Sequence, residues 1–160
     1  MTRGKLVIIL PYGGFKTNEY NGDMYMNQNE FGSKAKPSPG DIALKKIEEP
    51  TDFDSFTSMV RDFTTYYYGP EHANCPLTDE ELEYKSSVHA LQSPAIDENQ
   101  GIHFSDYYTH WFSDYIYIKN ASGKQINIYT TDGDTMTLDD GQSEVFYFGN
   151  VYKKEDEDVY

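Results

Sequence analysis

The spacing of hydrophobic residues changes period along this chain, and each change marks a predicted element. Residues 5–10 form a short, mostly apolar run closed by Pro11 and the Gly13-Gly14 pair, which reads as a buried strand with a sharp stop. Residues 11–40 are rich in Gly, Asn, Lys, Pro and Ser, and the pieces NG, FGSK and KPSPG signal turns. Short aromatic runs inside this stretch suit edge strands. Structureless loops beyond about 15 residues are uncommon in compact domains, so a segment of this length is either mobile or kept for binding.

Helical spacing follows. Phe53, Phe56, Val60, Phe63 and Tyr67 recur at steps of three and four and predict a helix over 52–68, with Thr51 or Asp52 as its cap and Gly69-Pro70 as its stop. A second helix is predicted over 78–92. Thr78 and Glu81 have capping-box spacing, Leu77 and Leu82 flank them as a hydrophobic staple, and Ser93-Pro94 ends the run.

From residue 115 the period falls to two. YIYIK, QINIYTT, TMTL and EVFYFG are separated by NASG, DG and DDG, which predicts four short strands joined by tight turns. Asp132-Gly133 is a two-residue hairpin signal. Ile126 shares a face with Ile128, and Met136 with Leu138. EVFYFG is apolar on both faces, as expected of a central or doubly covered strand. The expected fold is α+β, an antiparallel β-meander or small β-sandwich with two helices, in one acidic domain over 1–152. Residues 153–160, which include KKEDED, read as a flexible charged tail.

Charge narrows the range of partners. The chain carries 27 acidic and 13 basic residues for a net charge of −14. Residues 81–160 hold 15 acids against 5 bases, whereas residues 1–80 hold 12 against 8. Such a surface is repelled by phosphate backbones and anionic lipid, so neither direct nucleic-acid binding nor membrane binding is expected. The best source of a local basic patch is Lys34, Lys36, Lys45 and Lys46, diluted by Glu48 and Glu49. The 15 tyrosines and 9 phenylalanines suit an aromatic-rich β protein, with tyrosine rings packed at a core boundary or an interface. The single cysteine, Cys75, excludes an internal disulfide. The first apolar run is too short for a signal peptide and lacks a small-residue cleavage pattern, so a cytoplasmic protein is expected. Asn120-Ala121-Ser122 matches a glycosylation sequon and reads as a chance match.

Candidate chemistry is sparse. His72 and Cys75 have a metal-ligand spacing without a second compact pair, and they read as incidental. His103, Asp106, His110 and Asp114 form a denser polar set that would share a face if the segment were helical. Phe104, Tyr107, Tyr108, Trp111 and Phe112 interleave with it, and ring packing accounts for the segment without chemistry. Asp132, Asp134, Asp139 and Asp140 place carboxylates at the close spacing that calcium loops use, yet the EF-hand pattern is absent and DG and DDG are also turn sequences. Neither a phosphate loop nor a GxSxG elbow occurs. No cofactor is expected.

The sequence therefore favours a noncatalytic interaction factor with a basic protein partner. One version occupies the basic groove of a nucleic-acid-binding protein, its carboxylates standing where phosphates would lie; a small viral or mobile-element inhibitor has this size and character. The candidate interface residues are Tyr107, Tyr108, Trp111, Asp132, Asp134, Asp139 and Asp140. Two alternatives belong to other classes. One is a self-associating structural or assembly subunit, and the other is a small hydrolase built on the 103–114 His/Asp cluster.

Overall fold

The first apolar run becomes the second strand of a five-stranded sheet, β1 (Gly4–Ile9), and all six of its residues are buried. In this computed structural model the described residues are 2–11, 15–26, 38–68, 101–104 and 113–153. They form two helices and two mixed sheets, an α+β fold that is mostly sheet. Along the chain, β1 is followed by β2 (Phe15–Tyr20), α1 (Pro39–Lys46), α2 (Phe53–Tyr68), β3 (Gly101–His103) and β4 (Tyr115–Asn120). The series ends with β5 (Ile126–Tyr129), β6 (Thr135–Leu138), β7 (Ser143–Tyr147) and β8 (Asn150–Val151). The larger sheet has the order β2-β1-β4-β7-β8, and the smaller one β3-β5-β6.

Three layers result, because the central sheet is apolar on both faces. Leu6, Ile8, Tyr115, Tyr117 and Val145 face the helices, where Phe56, Met59, Val60 and Phe63 of α2 and Ala43 of α1 complete one core. Val7, Ile9, Ile116, Ile118 and Phe146 face the small sheet and pack on Ile102, Ile126, Ile128 and Leu138. Burying each large side chain contributes about 1.5–3 kcal/mol before the entropy of ordering is counted. A strand with period-two alternation between two cores needs cover on both sides, and each layer supplies one face.

That requirement also explains how the strands after residue 115 pair. The four runs form strands as their pattern predicts, and consecutive pairing holds for β5 with β6 and β7 with β8. β4, however, adds to β1 in parallel and takes β7 as its antiparallel neighbour. The β5–β6 hairpin is thereby lifted into the second sheet, where Ile126, Ile128 and Leu138 cover the outer faces of β1 and β4. Of the two expected arrangements, the sandwich is the one adopted.

Asn120 joins the layers at the end of β4. Its Nδ2 donates to the carbonyls of Lys124 at 2.8 Å and Leu138 at 2.9 Å. Its Oδ1 accepts from the Ser122 amide at 3.0 Å and the Ser122 hydroxyl at 2.7 Å. The side chain is wholly buried with all four hydrogen-bonding positions filled. A glycan on this residue is incompatible with the fold, which agrees with the sequon as a chance match.

The helices show what local pattern can and cannot reveal. In α2 the expected cap is real: Asp52 accepts from the Ser55 amide at 2.8 Å. Phe56, Val60 and Phe63 are buried as the stripe predicts, and Met59 joins them. The helix over 78–92 lies outside the described residues. α1, in contrast, begins inside what reads as a turn-rich stretch. Ser38 accepts from the Asp41 amide at 3.2 Å, and the Asp41 carboxylate accepts from the Ser38 amide at 3.1 Å, with Pro39 at the first helical position. The same stretch supplies β2, an edge strand as expected of its aromatic runs.

Several tyrosines are packing residues. Tyr20, Tyr115 and Tyr117 are buried in the helix-side core. Tyr117 donates to the Met24 carbonyl at 2.5 Å and Tyr67 to the Gly22 carbonyl at 2.7 Å, while Tyr20 shares a 2.7 Å bond with Thr64. The hydroxyls of these three, Tyr20, Tyr67 and Tyr117, each find a protein partner, so these rings serve the core layer.

Candidate functional site

Two tight turns meet at one end of the sandwich. Thr130 and Asp134 close the β5–β6 connection: the Thr130 amide donates to the Asp134 carbonyl at 2.8 Å and the Gly133 amide to the Thr130 carbonyl at 3.1 Å. Gly133 takes a φ of 92°. The turn thus has three residues, 131–133, with glycine in the left-handed position, one residue longer than the hairpin the Asp-Gly pair predicts. β7 and β8 are joined by only two residues, Phe148 and Gly149, with φ of 49° and 80°. Both being positive, this is a type I′ turn, which normally carries Asn-Gly.

The two turns hold each other. The Thr131 amide donates to the Gly149 carbonyl at 3.1 Å, and its hydroxyl to the Phe148 carbonyl at 3.1 Å. The Asp132 amide donates to the Asn150 side chain at 3.1 Å. A cleft of about 650 Å³ opens between them, lined by Thr135 and Met136 of β6, by Asn150 and Val151 of β8, and by Asp132, Asp134 and Phe148. Tyr147, half-buried in its wall, stacks edge-on against Phe148 with ring centroids 4.5 Å apart.

Phe148 is the unusual residue. A bulky L-residue at positive φ is strained by roughly 1–2 kcal/mol. Its ring is nevertheless 41% exposed, among the most exposed large hydrophobic side chains described. The turn itself does not require an aromatic residue there. Beside it, hydrogen bonding from Thr130, with a smaller share from the Asp134 amide, holds the Asp132 carboxyl below the usual carboxylate range, so it is ionised at neutral pH.

The four aspartates of the candidate interface are all exposed but do not converge on one point. Asp132 and Asp134 sit before β6, and Asp139 and Asp140 after it, about 13 Å of strand apart. Asp139 accepts from Gln125 at 2.7 Å and Asp140 from the Gly123 amide at 2.9 Å, each stabilising its turn. Among the described residues no group of three or more His, Cys, Asp or Glu is placed to hold a metal ion.

Tyr107, Tyr108 and Trp111 lie outside the described residues, as do His72, Cys75, Asp106 and His110. Phe104 and Asp114, which flank residues 105–112, both touch the β7–β8 turn. Phe104 packs against Phe146 with centroids 5.0 Å apart and lies close to Gly149, and the Asp114 carbonyl accepts from the Phe148 amide at 3.0 Å. His103 lies on strand β3, not on a helix, and stacks on Tyr129 at 4.4 Å. Asp114 accepts from the Arg3 amide at 2.8 Å. The two described members of the His/Asp set are thus engaged in packing and backbone capping. Sequence reasoning missed Phe148. The signal was present, since Phe-Gly occupies the short gap between the strand EVFY and the pair NV.

Comparison with protein-family models, with curated proteins and with solved structures found no significant match. Among the described residues no helix is long and apolar enough to cross a membrane.

Proposed function

We propose that this chain is a noncatalytic interaction factor that docks on a basic protein through the end of the sandwich that carries Asp132, Asp134 and Phe148. The observation that carries this reading is an exposed aromatic ring held in a strained left-handed turn beside the ionised Asp132 carboxyl and the exposed Asp134, on a chain of net charge −14. An aromatic anchor ringed by polar groups is the usual anatomy of a binding hot spot, and the long-range field steers a basic partner toward it. In its specific form the partner is a nucleic-acid-binding protein, and the acidic surface occupies its basic groove and inhibits by occupancy.

The test is capture from a lysate of the native source at about 0.15 M and about 1 M salt, where exposed charges are screened over roughly 8 Å and 3 Å. The captured protein is then assayed for displacement of bound nucleic acid by this chain. One stoichiometric basic partner, weakened at high salt and released from nucleic acid, is the expected result. A partner that keeps its nucleic acid removes the inhibitory form. Absence of any specific partner removes the interaction reading.

A further inference from the structure

The same end of the molecule carries a strand edge that no described residue pairs with, and its hydrogen-bonding groups can be assigned. Among the described residues β6 is the last strand of the small sheet and pairs only with β5. The bonded pair Thr130/Asp134 fixes the phase of the ladder. Antiparallel pairs alternate between bonded and non-bonded, so Met136 and Leu138 direct their backbone groups at β5, opposite Ile128 and Ile126. Thr135 and Thr137 therefore turn their N–H and C=O groups outward. No proline, lysine or bulge blunts this TMTL edge, although natural sheets commonly protect edges in one of those ways. Its guard is acidic instead: Asp132 and Asp134 stand at one end of it, and Asp139 and Asp140 at the other, all exposed.

That arrangement selects its occupant. A second copy pairing edge to edge in antiparallel fashion would set Asp134 against Asp139 and Asp140, with −14 on each chain, and like charges placed opposite are destabilising. An extended segment with cations at both ends and β-branched residues between them meets a carboxylate at each end and, in the middle, four backbone groups that no described residue pairs with. The Asp134 carboxylate has no hydrogen-bond partner among the described residues and is available to such a cation. β8 offers a poorer template, because it has only two residues.

We propose that β6 accepts an extended, cation-flanked segment of the basic partner as an added strand, in register with the aspartates that bracket it. The proposal rests on the basic-partner reading and names how that partner is held. Main-chain hydrogen bonds supply the attachment, and the bracketing carboxylates choose a basic sequence over an acidic one.

The test uses the full chain and a capped peptide of sequence KKVTVTKK. Amide hydrogen exchange is read residue by residue by NMR. The expected result is at least tenfold added protection at the Thr135 and Thr137 amides on binding. A peptide with glutamate in place of lysine, or with N-methylated central residues, is expected not to bind. Thr137→Pro removes a donor the native ladder does not use, and proline is tolerated at such edge positions. It is expected to weaken the peptide at least tenfold. Thr137→Lys places a cation on an exposed side chain without touching the ladder, and the same loss is expected. Peptide bound without protection at Thr135 and Thr137, or bound equally by both variants, overturns strand addition. If a captured basic partner binds and KKVTVTKK does not, strand addition fails and the basic-partner reading stands. If neither binds, both fail.

Discussion

Replacing Asn120 by Asp changes one heavy atom and reverses the chemistry of the junction between the layers. The native Nδ2 donates to two carbonyls, those of Lys124 and Leu138. In the variant a carboxylate oxygen faces both, and neither donor remains. A buried acceptor left without its donor costs about 1–3 kcal/mol, and an uncompensated buried charge costs about 3–5 kcal/mol when its partner is removed. Oδ1 still accepts from Ser122, which offsets part of the loss. The expected destabilisation at pH 8 is therefore about 3–5 kcal/mol. Its pH dependence follows from the same geometry. Two facing carbonyls favour the protonated acid, so the folded-state pKa of the introduced carboxyl rises above its unfolded value of about 3.9. The folded variant then binds more protons than the unfolded one, and its stability falls as pH rises between those two values. Denaturant unfolding of wild type and variant at pH 8 and pH 5.5 checks this. The gap should narrow toward pH 5.5, by at most about 1.4 kcal/mol per pH unit. A variant within about 0.5 kcal/mol of wild type at pH 8, or a large gap that does not change with pH, refutes the assignment of Asn120 as a saturated buried junction.

Three further outcomes follow from other parts of the fold. Ser38→Ala removes the α1 cap and the 2.6 Å bond from Ser38 to the Tyr25 carbonyl, and denaturant unfolding should show a loss of about 1–2 kcal/mol. Burial pushes the Lys5 ammonium below its ordinary pKa, against the opposing pull of Glu19, so the unfolded chain binds more protons and wild-type stability rises with pH as it approaches 10.5. Lys5→Met should therefore be more stable than wild type near neutrality, with an advantage that shrinks in thermal melts as pH is raised toward 10.5. Phe148→Asn relieves the left-handed strain while exposing no core, so its melting temperature should be unchanged or raised. Binding to the basic partner, read by calorimetry, should weaken at least tenfold if the ring is the anchor.

The fold was legible wherever one local pattern had one meaning. The α2 stripe, the Asp52 cap and the inward positions of Ile126, Ile128 and Leu138 all follow from spacing alone. α1 was hidden by ambiguity: Ser38-Pro39-Gly40-Asp41 satisfies both a turn signal and a capping box, and the buried Ala43 and Ile47 that decide the matter act through tertiary contact. The parallel pairing of β1 with β4 joins residues more than a hundred positions apart, and no short-range rule carries that information. At the candidate site the carboxylates were visible as residue types, but their division to either end of β6 depends on sheet geometry. Phe148 was visible only as half of a Phe-Gly pair in the short gap between EVFY and NV, and its strain is a property of φ, not of composition.

The most direct measurement is capture from native lysate with wild type and with the double variant Asp134→Asn/Phe148→Asn side by side, quantified by mass spectrometry. Both substituted residues line the cleft, and neither side chain fills the core. The account predicts one stoichiometric basic protein on the wild-type chain and its loss from the equally folded variant. Equal retention by both chains, or no protein above background on either, would contradict it.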